Sequence, residues 1–288
     1  MYDFLDRQAA PLRDEDWQQI DTLVVEVARR QLVGRRIIPV FGPLGAGAQD
    51  VDYDVFTGTD EAVVSTLGES TDPVRARRRV HEHLPMIYKD FLLYWRDIES
   101  SRMLGTPIDL GAAAAAASFC AQKEDDLIFN GNDELGYPGL TTVEGRQTIK
   151  AGDWDVPGTA FNDIVQATRN LLAEGFFGPY AVVLNPVAFS QMQRVYANSG
   201  VLEINHVREI ATGGVFQTPI LRDKIGLVVS LGIQNFDIAI GQDLITAYLG
   251  PEKMNHPFRV MESLVLRIKR PGAVCTIEGS APRPPRKK

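Results

Sequence analysis

The order of apolar and polar positions divides this chain into a helical start, a strand-like arm, a long helix, a mixed middle and an alternating end. Trp17, Ile20, Val24 and Val27 recur at helical spacing on one face, which predicts an amphipathic helix packed on a core. Asp14 is its expected N-cap, with Glu15 and Asp16 in the first turn and Arg29 and Arg30 near the end, as the macrodipole favours. Leu32 to Phe41 then reads as a strand leaving that helix.

Between Asp50 and Asp72 there are seven acidic side chains and no lysine or arginine, and Arg75, Arg77, Arg78 and Arg79 then fall within five residues. A solvated face is the plain reading of such runs; limbs of opposite sign also suit a long two-stranded arm that meets a complementary neighbour. An isolated hairpin is marginal in water, so the arm needs a partner surface. "LPMIYKDFLLYWRDIES" is rich in apolar and aromatic residues, and packing is the expected role of Trp95 and the cluster around it. A strong helix follows from near Asp109 to just before Gly131, with an alanine run that permits close backbone approach.

The middle third predicts an amphipathic helix stopped by Gly175, a buried strand from Tyr180 to Leu184 and another helix, an α+β or α/β arrangement. "HPFRVMESLVLRIKRPGAVCTIEG" alternates as strands around an Arg-Pro-Gly turn, and the basic, proline-rich "SAPRPPRKK" is expected to be extended and disordered.

Composition narrows the function classes. At 288 residues the chain can hold roughly two domains, or one elaborated domain, with a substantial core. Its 44% hydrophobic and 23% charged residues exclude overall disorder, and a net charge of −7 argues against nucleic acid as the main partner. Cys120 and Cys275, far apart in apolar surroundings, are expected as buried reduced thiols, which suits a reducing cytoplasm. The N-terminus carries acids and a proline where a secretion signal needs a basic start and an apolar run, and no stretch approaches the roughly 20 apolar residues of a membrane span.

The candidate chemistry is sparse. "RRIIPVFGPLGAGAQD", residues 35–50, resembles a phosphate cradle but lacks the lysine and hydroxyl of a P-loop and opens no helix, so a plain turn is the better reading. His81 and His83 share a strand face and could hold a metal; as exposed residues of the arm's basic limb they need none, and no metal site is assigned. Glu124, Asp125 and Asp126 are consecutive on a helix, point in different directions and make no acid/base pair. Nucleophile elbows, zinc-protease motifs and paired Cys-x-x-Cys motifs are all missing, so no catalytic residue is assigned. No cofactor is expected, and a flavin near Trp95 lacks any phosphate-binding motif to support it.

"FLDRQAAPLRDEDWQQID", "QLVGRRI", "FGPLGAG", "GPYAVVLNP", "GQDLITAYLG" and "NHPFRVMESLVLRI" resemble encapsulin shell proteins in order and spacing along nearly the whole chain, in particular iron-storing members. The resemblance implies an α+β, Hong Kong 97-type phage major capsid fold. The N-terminal helix and start of a peripheral domain would occupy residues 1–49, an extended arm 50–84, and the peripheral domain with its spine helix 85–135. An axial domain would take 136–250, a peripheral return 251–279 and a disordered basic tail 280–288. The implied function is a shell subunit of an icosahedral compartment in the bacterial cytoplasm, built of many copies and packaging a cargo protein through a C-terminal targeting peptide. The cargo would be ferritin-like and would itself handle iron, for storage and protection from oxidative stress, with a peroxidase as the alternative. A viral capsid protein is the rival reading, and a bacteriocin- or protease-type enzyme the lesser one. Neither a membrane nor a specific nucleic acid is an expected partner.

By the same resemblance, the strand after the first helix lies on the lumenal side, and a groove there would seat the targeting peptide on Val24, Leu32, Arg35, Ile37 and Pro39. Arg35 would meet peptide carbonyls or a carboxylate; Pro39 stands where other members carry aspartate. Gly200, Glu203, Asn205 and His206 would line the five-fold opening. Arg77, Arg78 and Arg79 would pair with acidic groups of a neighbouring subunit.

Overall fold

Two sheets organise the chain, and the candidate site lies at the edge of the first. The structure is a computed structural model and describes residues 4–57, 62, 64–66, 74–196, 200–221 and 225–279. Asp14–Gln31 forms α1, Gly34–Ile37 α2 and Val40–Phe41 β1. Asp50–Thr57 (β2) and Arg75–His83 (β3) form a hairpin, followed by Met86–Leu93 (β4), Trp95–Leu104 (α3) and Gly111–Phe129 (α4). Gly131–Asn132 (β5) and Tyr137–Pro138 (β6) pair as a short ribbon before Gln147–Lys150 (β7), Thr159–Ala173 (α5), Tyr180–Leu184 (β8) and Pro186–Gln191 (α6). Glu203–Ile210 (α7), Gly214–Gln217 (β9), Gly226–Ser230 (β10), Phe236–Tyr248 (β11), His256–Ile268 (β12) and Val274–Glu278 (β13) complete the order.

The first sheet runs β1-β11-β12-β4 and the second β7-β13-β10-β8-β9. Their membership divides the chain differently from the expected segments. β11, inside the span 136–250, is the antiparallel neighbour of β12, while β13, inside 251–279, lies between β7 and β10. The proposed tail at 280–288 and much of the arm's tip lie outside the described residues.

Why α1 forms is plain in its sequence: Trp17, Ile20, Val24 and Ala28 are buried at spacings of three and four, and the face packs on α4 and β11. Its cap differs from expectation. Asp14 is the first helical residue, and the Asp16 carboxylate reaches back to accept the Arg13 N–H at 2.9 Å. α4 starts at Gly111, whose N–H donates to the Asp109 carboxylate at 2.8 Å. Its buried Ala113, Ala116, Ala117 and Ala121 let it lie close on α1, β4 and β12.

The expected strand from Leu32 to Phe41 is mostly another structure, since α2 occupies Gly34–Ile37 and only Val40 and Phe41 pair with β11. The cause comes from another element. The Asp125 carboxylate of α4 accepts the N–H groups of Val33 and Gly34 at 2.9 Å each, capping a helical turn that the local sequence does not announce. Gly34 suits the contact, because a Cβ there would stand 2.7 Å from Ile128 Cδ1.

The aromatic core takes in Phe91 of the expected cluster but not Trp95. Phe91 stacks on Phe258 at 5.3 Å between centroids and Trp17 meets Phe258 edge-on at 5.6 Å, whereas Trp95 is 40% exposed at the start of α3. Both cysteines are buried free thiols; burial pushes Cys120 up to about 12 and Cys275 up to about 11, which makes both poor nucleophiles at neutral pH.

Candidate functional site

The end of α1, α2, β1 and β11 enclose an open groove of about 440 Å³. Val25, Ala28, Leu32, Val40 and Leu244 supply its apolar lining, with Arg29, Arg36 and Asp243 on the rim and Arg35 against the floor. Two register shifts in the β11–β12 ladder flank Gln242 and leave Gly241, Asp243 and Leu244 without a partner in the register, with Asp243 exposed and Leu244 half-buried beside the helices. Arg36 closes the other side by donating to the last carbonyls of α1, those of Arg29 and Arg30, at 3.0 and 3.1 Å.

Two of the five residues expected to seat a peptide, Leu32 and Arg35, line this groove. Val24 and Ile37 do not, since they are 1% and 3% exposed and belong to the core. Successive helix positions turn by about 100°, so the neighbour Val25, not Val24, faces the groove. Pro39 is half-buried, and its carbonyl accepts the Ile238 N–H at 2.9 Å, which commits it to the sheet.

Arg35 also differs from the free cation that was expected. Its Nε donates to Glu124 at 2.7 Å, Nη1 to Asp243 at 2.7 Å and Nη2 to Glu262 at 2.8 Å, so all three nitrogens are engaged. The consecutive carboxylates of α4 diverge: Glu124 faces Arg35, Asp125 caps α2 and Asp126 meets Lys123. Burial pushes the Asp125 carboxyl up to about 6 against the pull of its two amide donors.

The glycine-rich turn commits two of its amides to the sheet. Its Leu44 and Gly45 amides donate to the Ile240 and Gly241 carbonyls at 2.9 Å, so the groups a phosphate would use extend the sheet.

In the arm, register sets the acidic limb directly against the basic one, with Asp50 opposite His83, Asp52 opposite His81 and Asp54 opposite Arg79. His81 Nδ1 lies 2.6 Å from Asp52, and His83 pairs with Asp50, so the two histidines are spent on separate carboxylates and do not converge on a metal. Arg79 forms a two-pronged pair with Asp54 within its own hairpin, while Arg77 and Arg78 are exposed and make no ion pair among the described residues. Arg79→Glu places two carboxylates across one rung, and we expect faster amide exchange in Asp54, Val55 and Arg78, strongest at low salt. Unchanged exchange there would show that the pair contributes nothing to the arm.

The residues expected at an opening separate. Glu203 is 2% exposed, and its carboxylate accepts the N–H groups of Gly158 and Phe161 at 3.1 and 2.8 Å, so it caps the start of α5 and lines no pore. His206 is half-buried with its ring against Phe161 and Tyr196. Gly200, at φ +73°, and Asn205 are exposed, and residues 197–199 between these elements lie outside the described residues.

Comparison with known proteins gives this geometry its context. A family profile described as an encapsulating protein for peroxidase matches residues 2–265. The type 1 encapsulin shell protein EncA of Myxococcus xanthus is 52% identical over 281 residues, 97% of this chain and 98% of the relative. A ferritin-like–encapsulin shell fusion protein of Pyrococcus furiosus is 26% identical over 207 residues, 72% of this chain and 56% of the fusion. The solved virus-like particle from Pyrococcus furiosus superposes with a TM-score of 0.75 at 22% identity, covering 92% of this chain and all of that one, and phage capsids share the same fold. Among the described residues no helix is long and apolar enough to cross a membrane. With its family profile spanning most of the sequence and a shell protein identical at half its positions, the chain belongs to the encapsulin family, as a shell protein of Hong Kong 97-type fold and not an enzyme.

Proposed function

We propose that many copies of this chain close into an icosahedral compartment in the bacterial cytoplasm and hold cargo by a short C-terminal peptide lying in the α1–β11 groove. The observation that carries this reading is the groove itself: it is open, of about 440 Å³, and apolar along Val25, Leu32, Val40 and Leu244, which suits side-chain anchors. Its apolar residues, not Arg35, supply the affinity, because Arg35 is already held by three carboxylates. A ferritin-like cargo, with iron chemistry in the cargo and storage as the outcome, is supported by the relative that joins a ferritin-like part to a shell in one chain. A peroxidase is the alternative, supported by the description of the family. Arg77 and Arg78, unpaired within the described part of the arm, are the groups left to meet a neighbouring subunit.

The chain expressed alone is expected to elute at megadalton mass and to appear as closed shells by electron microscopy. Co-expressed ferritin-like protein should co-purify only when it carries its C-terminal peptide. Monomers or dimers in near-neutral buffer would refute the shell, and equal loading without the peptide would refute the groove.

A further inference from the structure

Beneath the groove, the Arg35 cluster contains an imbalance that its ion pairs leave unresolved. Glu124 and Glu262 are 0% and 1% exposed, and each gives one oxygen to Arg35. Their second oxygens, Glu124 Oε2 and Glu262 Oε1, are buried with no hydrogen-bond partner. One guanidinium, shared also with Asp243, cannot offset two ionised carboxylates in a dry site. A single proton between the two free oxygens removes both difficulties, since one carboxyl then donates an O–H and the other accepts it. We propose that Glu124 and Glu262 share one proton at neutral pH, and that this proton locks α2, α4 and the β11–β12 ladder together under the groove.

The surroundings agree with this assignment. Burial, and then the charge of Glu124, hold the Glu262 carboxyl well above the usual carboxylate range, and burial raises Glu124 as well. From α2 the charged groups are Arg35 and Arg36, the latter acting on Asp125, and from β11 it is Asp243. On α4 lie Asp125 and Cys120, and from β4 Lys89 and Asp90 act on that thiol. From the end of α1, Ala28 and the following Leu32 pack with Ala121 and Leu244, and the neutral Gln31 accepts from Ser118 and Gln122 of α4. The lock does not depend on what the groove binds.

Carboxyl groups raised on folding stabilise the fold fully below their unfolded values, and that stabilisation is lost as pH rises through the folded ones. Asp125 has the same sign but titrates at about 6, so behaviour above pH 7 reports on the glutamate pair. The test is amide exchange at Val33, Gly34 and Arg36 in the purified protein from about pH 7 to about pH 10, corrected for the intrinsic rate. Wild-type protection should fall by up to about tenfold per pH unit while the folded pair still holds a proton that the opened state has lost, and should level off once the folded pair is deprotonated. Glu262→Gln keeps the shape and donates a permanent N–H to Glu124, so its protection should stay flat; Glu124→Gln is the second variant. Infrared spectra with carboxyl-labelled glutamate should show a protonated glutamate band at pH 7 that Glu262→Gln removes. An equal fall in protection in either glutamine variant overturns the lock. So does a wild-type spectrum without that band, whether or not a variant folds.

Discussion

Asp237→Ala is expected to cost about 3–5 kcal/mol, a large share of the roughly 5–15 kcal/mol that holds a domain together. Asp237 is fully buried in β11 and accepts from Arg267 Nε at 2.6 Å, Arg267 Nη2 at 2.8 Å and Lys269 Nζ at 2.6 Å. The same guanidinium donates to the Asp52 carbonyl at the base of the arm, 3.1 Å away, and lies 4.3 Å from the centroid of Phe41 in β1. Alanine would leave Arg267, itself 5% exposed, as an unpaired charge in the sheet and would loosen the arm where it joins the body. The thermal midpoint should fall by about 10 °C, with much less protein recovered as shells. Asp237→Leu combined with Arg267→Met should restore most of the loss, because removing both partners leaves no buried charge beside Lys269, which can reach solvent. A midpoint within about 2 °C of wild type for the single variant would show that the pair is not what anchors the arm.

Charging the groove should abolish cargo loading while sparing the shell. Val25 and Val40 are 36% and 44% exposed and line the groove, so Val25→Glu and Val40→Asp remove apolar contact surface without opening the core. Each buried aliphatic anchor is worth roughly 1.5–3 kcal/mol, which corresponds to about a tenfold to a hundredfold loss of peptide affinity per site. A disordered peptide that orders on binding has modest affinity to begin with, so the loss should take loading close to background. The readout is the ratio of cargo to shell in purified particles, alongside particle diameter. Full loading in shells of normal size would sink the groove as the docking site. Ile37→Asp and Arg35→Glu are the wrong variants for this question: the first charges the core, and the second adds a fourth carboxylate to a cluster of three.

The chain's pattern by itself determined what depends on neighbours along the sequence. The faces of α1 and α5, the alanine-lined α4, the buried strand Tyr180–Leu184 and the alternation of β12 follow from residue spacing. The joint order of the encapsulin-like segments pointed to the family, although none of them is a catalytic signature. What the pattern could not decide was each case in which a distant residue settles the local state. Asp125 makes a helical turn from a segment that reads as a strand. Glu203 is consumed in capping α5, some 40 residues earlier in the chain. The groove was legible as to place but not as to residues, because one step along α1 exchanges a core valine for a lining one and because the β11 bulge, which presents Asp243 and Leu244, has no signature of its own. Acids set among apolar strand positions, as Asp237 and Glu262 are, and the run Glu124–Asp126 were the visible hints of the buried charge clusters. Only the fold could name their partners, since a charge excluded from water takes whatever counter-charge the packing brings within reach.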